Sequence, residues 1–357
     1  MPPPLHGQAL MAGVLAEQGK SWPDIELHAL DAKFADSLAD LKSFSLGKLF
    51  RLARYVCAVT RLCLTKRIRT VILTPGFYRN TFLKDSVFIW LTGFLLRRKV
   101  VAWFHMDYGS FDESAQPGWF RRYMKVTLRR CSRYVVCTDR LKATAPAFLD
   151  PAKVAAVQNG IPDPATEGQA RPGTAPVMTV LYVSNMMEAK GWRVLLAAAA
   201  RLCREREDVR FHFYGAPTGE ATEEEIHALF AQAAGPDRIS YRGFLGAEDK
   251  AGAFRSADVF CMPTFTEAFP VAVTEALAFG LPVVASRVGG IPDMVEEGNG
   301  AWLVEPRSVE ALHHGLTTAL ADRERLSHWG RACRARYEAV FTAPGFARRW
   351  EAFLATA

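Results

Sequence analysis

Half of the 357 residues are hydrophobic and 23% are charged, which excludes a disordered chain and, at about 150 residues per domain, suits two globular domains. The 44 Lys and Arg exceed the 37 Asp and Glu, and the excess is one-sided: residues 1–170 hold 24 basic and 14 acidic residues, the remainder 20 and 23. The seven cysteines are scattered, odd in number and without a C-x-x-C pair, so a disulfide framework and a structural zinc site are both disfavoured, and buried thiols in a reducing cytoplasm are expected.

In chain order, the opening MPPPLHGQAL has neither the basic n-region nor the apolar stretch of a signal peptide. A doubly wound domain ordinarily opens with a strand that feeds a glycine-rich turn. Here the chain opens at the turn, PPPLHGQA, and the strand that would be central in the sheet is missing. The expectation is a translation start upstream of Met1, or a trimmed chain, with the first domain incomplete as it stands. Leu46–Thr65 has helix length, and seven basic residues stand between Lys48 and Arg69 without an acidic one. TVIL (Thr70–Leu73) reads as a buried strand and Ser86–Leu96 as a helix. The latter is the longest strongly apolar stretch and stops at Arg97, short of the roughly 20 residues a membrane span needs. KVVAWF (Lys99–Phe104), RYVVC (Arg133–Cys137) and KVAAV (Lys153–Val157) read as strands, with a helix over Trp119–Arg130. Six more basic residues and no acid lie between Arg121 and Arg133. Basic residues interleaved with Leu, Phe, Val and Tyr suit an anionic membrane surface; a solvated helix face is the plain alternative.

Pro162–Pro176, rich in Pro, Gly, Ala and Thr, breaks the pattern. Beyond it, strands (Met178–Ser184, Val209–Gly215, ISYRG, DVFCMP, PVVAS) alternate with helices (Trp192–Glu205, Ala221–Ala233, Pro270–Gly280). Such alternation implies parallel sheets. The expected fold class is therefore α/β, with two doubly wound, Rossmann-like domains facing across a cleft. The boundaries read as 1–165, a linker at 166–177, 178–335, and a last helix over 336–357 that returns to the first domain.

The chemistry concentrates between Asp258 and Pro306. A strand ends at Met262-Pro263, a loop carries Glu267, and Pro270 stands where a helix should begin. Glu275 follows Glu267 by eight residues, on the first turns of that helix. A helix N-terminus at the carboxyl end of a parallel strand attracts anions. Two carboxylates beside it make sense if one accepts hydrogen bonds from a ribose diol and the other faces a sugar carbon that becomes positive in the transition state.

This string resembles the Glu-x7-Glu signature of glycosyltransferase family 4, whose members have the GT-B fold. Four further blocks fit the resemblance in order: PPPLHGQA, Phe104-His105 with Asp107, VQNGIPD (Val157–Asp163) and LYVSNMMEAKGWRVLL (Leu181–Leu196). Together they span nearly the whole chain. The resemblance implies a retaining transfer of a sugar from a nucleoside-diphosphate sugar to an acceptor hydroxyl, in bacterial polysaccharide or glycolipid assembly. It implies that Glu275 binds the ribose, that Glu267 lies beside the donor sugar, and that Lys190 neutralises the diphosphate. His105 would contact the sugar, and Gly7 the diphosphate and acceptor. Gly215, Gly243, Ala268, Phe269, Pro270 and Val271 would complete the donor site. Taken alone, His105 reads as a core histidine, and Gly215 and Gly243 as turn residues. Asn185 stands where the family has an arginine, and Ala268 where a glycine is frequent. No Asp-x-Asp occurs, so neither a metal nor a resident cofactor is expected.

The partners expected are the nucleotide-sugar donor, a glycan or lipid-linked acceptor and, peripherally, the inner face of the cytoplasmic membrane. Nucleic acid is not among them, because basic runs alone explain none of the motifs. The missing arginine and first strand motivate an alternative, a catalytically silent nucleotide-sugar binder or scaffold. A phosphorylase with lysine-bound pyridoxal phosphate, or a sugar-nucleotide epimerase, are the remaining readings.

Overall fold

The computed structural model describes residues 7–30, 46–107, 111–165, 176–233, 235 and 237–356. The chain divides into two compact units, Met1–Asn159 with Phe346–Ala357, and Gly160–Gly345.

The first unit runs α1 (Gly7–Gln18), α2 (Leu46–Thr65), β1 (Thr70–Leu73), α3 (Arg79–Ile89), β2 (Lys99–Trp103), α4 (Gly118–Leu128), β3 (Arg133–Val136), α5 (Asp139–Ala143) and β4 (Val154–Ala156). Its strands lie in sequential order, β1-β2-β3-β4, all parallel. The four apolar runs read from sequence are the four strands. Two local readings need correction. Gly7 is the first helical residue of α1, not a turn residue, and the residues before it lie outside those described. The helix expected from Ser86 begins seven residues earlier, at Arg79, and passes into a π-helical turn at Trp90–Leu95. Its first turn is polar, so apolar periodicity did not register it, although Phe82, Ser86 and Ile89 already form its buried face.

Among the described residues β1 is an edge strand, and all four of its residues are only half-buried. A groove of about 1,090 Å³ is lined by all four β1 residues together with Asp24–His28, Glu351 and Leu354.

The second unit runs β5 (Met178–Val183), α6 (Trp192–Glu205), β6 (Val209–Tyr214), α7 (Glu223–Ala233), β7 (Ile239–Tyr241), α8 (Ala247–Arg255), β8 (Val259–Met262), α9 (Val271–Ala278), β9 (Val283–Ser286), α10 (Ile291–Met294), β10 (Ala301–Val304), α11 (Val309–Ala319) and α12 (Arg323–Arg336). Its six parallel strands take the order β10-β9-β8-β5-β6-β7. α6 shows why the sequence folds this way. Leu195, Ala198, Ala199 and Leu202 recur at helical spacing, and all are buried against Phe211 and Phe213 of β6 or their neighbours. Side-chain caps start the later helices: Ser308 accepts from the amide of Ala311, and Asp322 from those of Glu324 and Arg325.

The units divide six residues ahead of the expected linker. Ile161 already belongs to the second: its amide donates to Phe341 and its carbonyl accepts from Ala343 and from the Tyr337 hydroxyl. Asp163 accepts two bonds from the Arg334 guanidinium, at 2.9 and 2.5 Å. Most of the linker, residues 166–175, lies outside those described. The last helix, α13 (Ala343–Thr356), joins the first unit from Phe346 onward. Trp350 is fully buried, its ring 4.8 Å from that of Trp103, and Arg349 donates to the Gln158 carbonyl.

Candidate functional site

The order of the second sheet reverses between β5 and β8: β6 and β7 extend to one side, β9 and β10 to the other. In an open parallel sheet the crevice at the carboxyl ends of such a strand pair is where ligands bind. The loops leaving β5 and β8 carry two of the residues singled out from the sequence, Lys190 and Glu267.

Backbone bonds hold those loops together. After β5 the chain makes a 3-10 turn, Glu188–Lys190, closed by Gly191 at φ 73°. A Cβ at Gly191 would lie 1.9 Å from the Pro263 carbonyl oxygen, so glycine is required on both counts. The Ala189 carbonyl accepts from the amide of Phe265 at 2.8 Å and from the Thr264 hydroxyl at 3.0 Å. This arrangement brings the Lys190 ammonium onto the Glu267 carboxylate as an ion pair, with the side chains 23% and 17% exposed. The loop after β9 joins them, since the Gly290 amide donates to the Glu267 carbonyl at 3.2 Å.

Glu275 lies on the second turn of α9. Pro270 is the cap residue rather than the first helical one: its ψ of 113° is extended, and α9 starts at Val271. Glu275 Oε1 accepts from Lys250 Nζ at 2.6 Å, and Oε2 is buried with no partner among the described residues. Burial pushes the Glu275 carboxyl above its usual range, and Lys250 offsets part of that rise. An orphaned buried acceptor is costly in a packed fold and marks a place for an external donor. Lys250 is the residue that sequence reasoning missed. Its helix, AEDKAGAFR, carries no motif, and only its bond to Glu275 identifies it.

The remaining residues separate into classes. Gly215 is needed because a Cβ would lie 1.9 Å from the Ser184 carbonyl oxygen; its amide donates to Gly243, which sits at φ 72°. Backbone contacts thus link the ends of β5, β6 and β7. Ala268 and Phe269 are core residues, 3% and 7% exposed, with Phe269 edge-on to Phe341. Pro270 is buried and Val271 half-buried. Asn185 is exposed, and its backbone carbonyl accepts from the Met187 amide.

Gly7 and His105 belong to the first unit. Gly7 is exposed at the start of α1. His105 follows β2 with its ring 4.2 Å from that of Trp103, and its Nε2 is sealed from solvent without a partner among the described residues. Burial lowers its pKa to about 3, so the imidazole is neutral at pH 7.

Comparisons with known proteins bear on the second unit and on the fold. Residues 172–336 match the family described as glycosyl transferases group 1. That match covers the unit carrying Lys190, Glu267 and Glu275. Among curated proteins, the D-inositol 3-phosphate glycosyltransferase of Corynebacterium glutamicum is 34% identical over 167 residues, covering 45% of this chain and 40% of that protein. The enzyme of the same name from Streptomyces griseus is 31% identical over 213 residues, covering 52% and 45%. The chain thus spans less than half the length of these relatives. Among solved structures, sucrose-phosphate synthase from Thermosynechococcus elongatus aligns over 99% of this chain and 94% of its own, with a TM-score of 0.75 and 21% identity. Anabaena HepE in complex with UDP and glucose aligns over 88% and 83%, with a TM-score of 0.70 and 17% identity. These likenesses fix the fold as GT-B, with two Rossmann-like halves.

Proposed function

We propose that the protein is a retaining glycosyltransferase, independent of a metal ion, that moves a sugar from a nucleoside-diphosphate sugar to a hydroxyl of a glycan or lipid-linked acceptor. The observation that carries this reading is the orphaned Oε2 of Glu275, buried on α9 beside the strand-order reversal. A ribose diol offers the donors this atom lacks. In the same reading Lys190 and the amides of the loop before α9 stabilise the negative charge that builds on the diphosphate as the sugar–phosphate bond breaks. Loss of one such contact costs on the order of 10²–10³ in rate. Glu267 flanks the sugar as it becomes positive. The resemblance assigns a sugar contact to His105 and a diphosphate and acceptor contact to Gly7. Bacterial polysaccharide or glycolipid assembly is the setting we infer. The UDP-bound structure among the fold relatives makes UDP the first nucleotide to try.

The test is thermal stabilisation by UDP, GDP, ADP, dTDP and CMP. A ligand at a hundred times its Kd adds about 2.7 kcal/mol. One diphosphate should stabilise the wild type and lose its effect on Glu275→Ala. Stabilisation that survives Glu275→Ala would overturn the assignment. Stabilisation without turnover across nucleotide sugars would favour the silent binder, for which the uncharged Asn185 is the motivating residue.

A further inference from the structure

The amino ends of β1, β2 and β3 lie at the opposite end of the first sheet from His105. Three helix-to-strand connections converge there. The Arg98 guanidinium donates to the Cys63 carbonyl at the end of α2. The Arg130 guanidinium at the end of α4 lies 5.1 Å from the rings of both Trp90 and Phe94 in the π-helical turn. The stretches 61–69, 92–99 and 128–133 together hold ten Lys and Arg and no Asp or Glu. Among them stand Leu64, Phe94 and Leu95, which are 60%, 57% and 69% exposed.

Two of these arginines occupy backbone positions that side chains avoid. Arg67, just past α2, and Arg97, just past the π-helical turn, both have φ 51°. This is the left-handed position at which helices usually end on glycine, because a Cβ there is strained. Among the described residues one other non-glycine, Arg307, has positive φ. The fold therefore tolerates strain at two adjacent helix ends where glycine would relieve it, and at both it keeps a guanidinium.

We propose that this end of the first unit docks on an anionic lipid bilayer. Arg67 and Arg97 meet the headgroups, and Leu64, Phe94 and Leu95 enter the interfacial layer. Exposed aliphatic and aromatic side chains among basic ones suit an interface with an apolar interior, which nucleic acid does not offer. Bilayer docking does not depend on the glycosyltransferase reading, and its test does not use activity.

The full chain is titrated with vesicles of phosphatidylcholine alone and with vesicles containing a quarter phosphatidylglycerol, at low and high salt. Binding should require the anionic lipid and weaken with salt. The double variant Arg67→Gly/Arg97→Gly should melt at the same temperature as wild type or higher, and bind about 10- to 30-fold more weakly. Leu64→Ser/Leu95→Ser should also weaken binding without lowering the melting temperature. Equal binding to neutral vesicles, full binding by Arg67→Gly/Arg97→Gly, or binding to poly-U RNA in place of vesicles would each overturn the proposal.

Discussion

The two sheets are built by one rule and end differently. In the second, six strands reverse their order at β5 and β8, and five of the six β5 residues are buried. The reversal leaves a crevice, and the chain places a lysine on one loop and a glutamate on the other. In the first, four strands follow in sequence with no reversal among the described residues, and edge strand β1 stays half-buried beside a groove. Its distinctive feature is the charge at the amino ends of its strands. Strand order thus positions a site in one unit, while surface composition marks the other.

The largest test of this contrast uses Trp350. Trp350→Ala empties a fully buried indole site in the first unit and should cost about 3–5 kcal/mol. Hydrogen exchange should then accelerate at β2 and β3, with β5 and β8 unchanged. Equal acceleration in both sheets would mean that the units do not differ in the way described. Gly191→Ala is the counterpart in the second unit. Its Cβ would strike the Pro263 carbonyl from a left-handed backbone, so about 2–3 kcal/mol of destabilisation is expected in urea melts. Exchange should change at the ends of β5 and β8, and the nucleotide response should go with it.

Arg334→Leu removes the paired bonds to Asp163 and a bond to the Ala278 carbonyl, an effect of about 2 kcal/mol within the second unit. Arg334 holds the Asp163 carboxyl below its usual range. This contribution is complete above pH 3.8, the ordinary aspartate value, and fades as pH falls through the lowered one. The variant should therefore lose less stability on acidification than wild type, as read from melts across pH.

The remaining pH-dependent effects have opposite signs in the two units. Glu275 titrates above its ordinary value of 4.5, so between that value and the raised one the folded state holds the extra proton. Stability then falls as pH rises, and Glu275→Gln should flatten that slope. His105 titrates near 3 against an ordinary 6.5, so the unfolded state binds the proton first and stability falls as pH drops below 6.5. His105→Gln should flatten that slope instead. Swapped effects would show that the two burials are misassigned.

Much of this was legible in the residues. Four apolar runs became β1–β4, and Trp192–Glu205 and Leu46–Thr65 are helices with the ends read from sequence. Lys190, Glu267 and Glu275 were singled out by the family resemblance, and they lie on the segments that follow β5 and β8. Strand order was not legible, because any parallel strand can be reached by a crossover and the apolar pattern does not say on which side. Lys250 was invisible because a lysine on a polar helix is ordinary until the helix is packed. The division at Asn159 was hidden because Ile161 is tied down by residues near position 341. Proline and glycine mark where a chain turns, not which of its neighbours remain bonded.

The discontinuity of the first unit has a consequence for synthesis. The second unit is a single stretch, Gly160–Gly345, and all of its partners exist once Gly345 has been added. The first is made earlier, yet Trp103 lacks its neighbour Trp350 until residue 350 has been added. At about 5–20 residues per second, that wait lasts roughly 10–50 s. During it a half-buried edge strand and an unfilled aromatic core are open to other chains. The half of the protein that is translated first is therefore the half that finishes last, and a stop after Gly345 would leave it unfinished while the other half is whole.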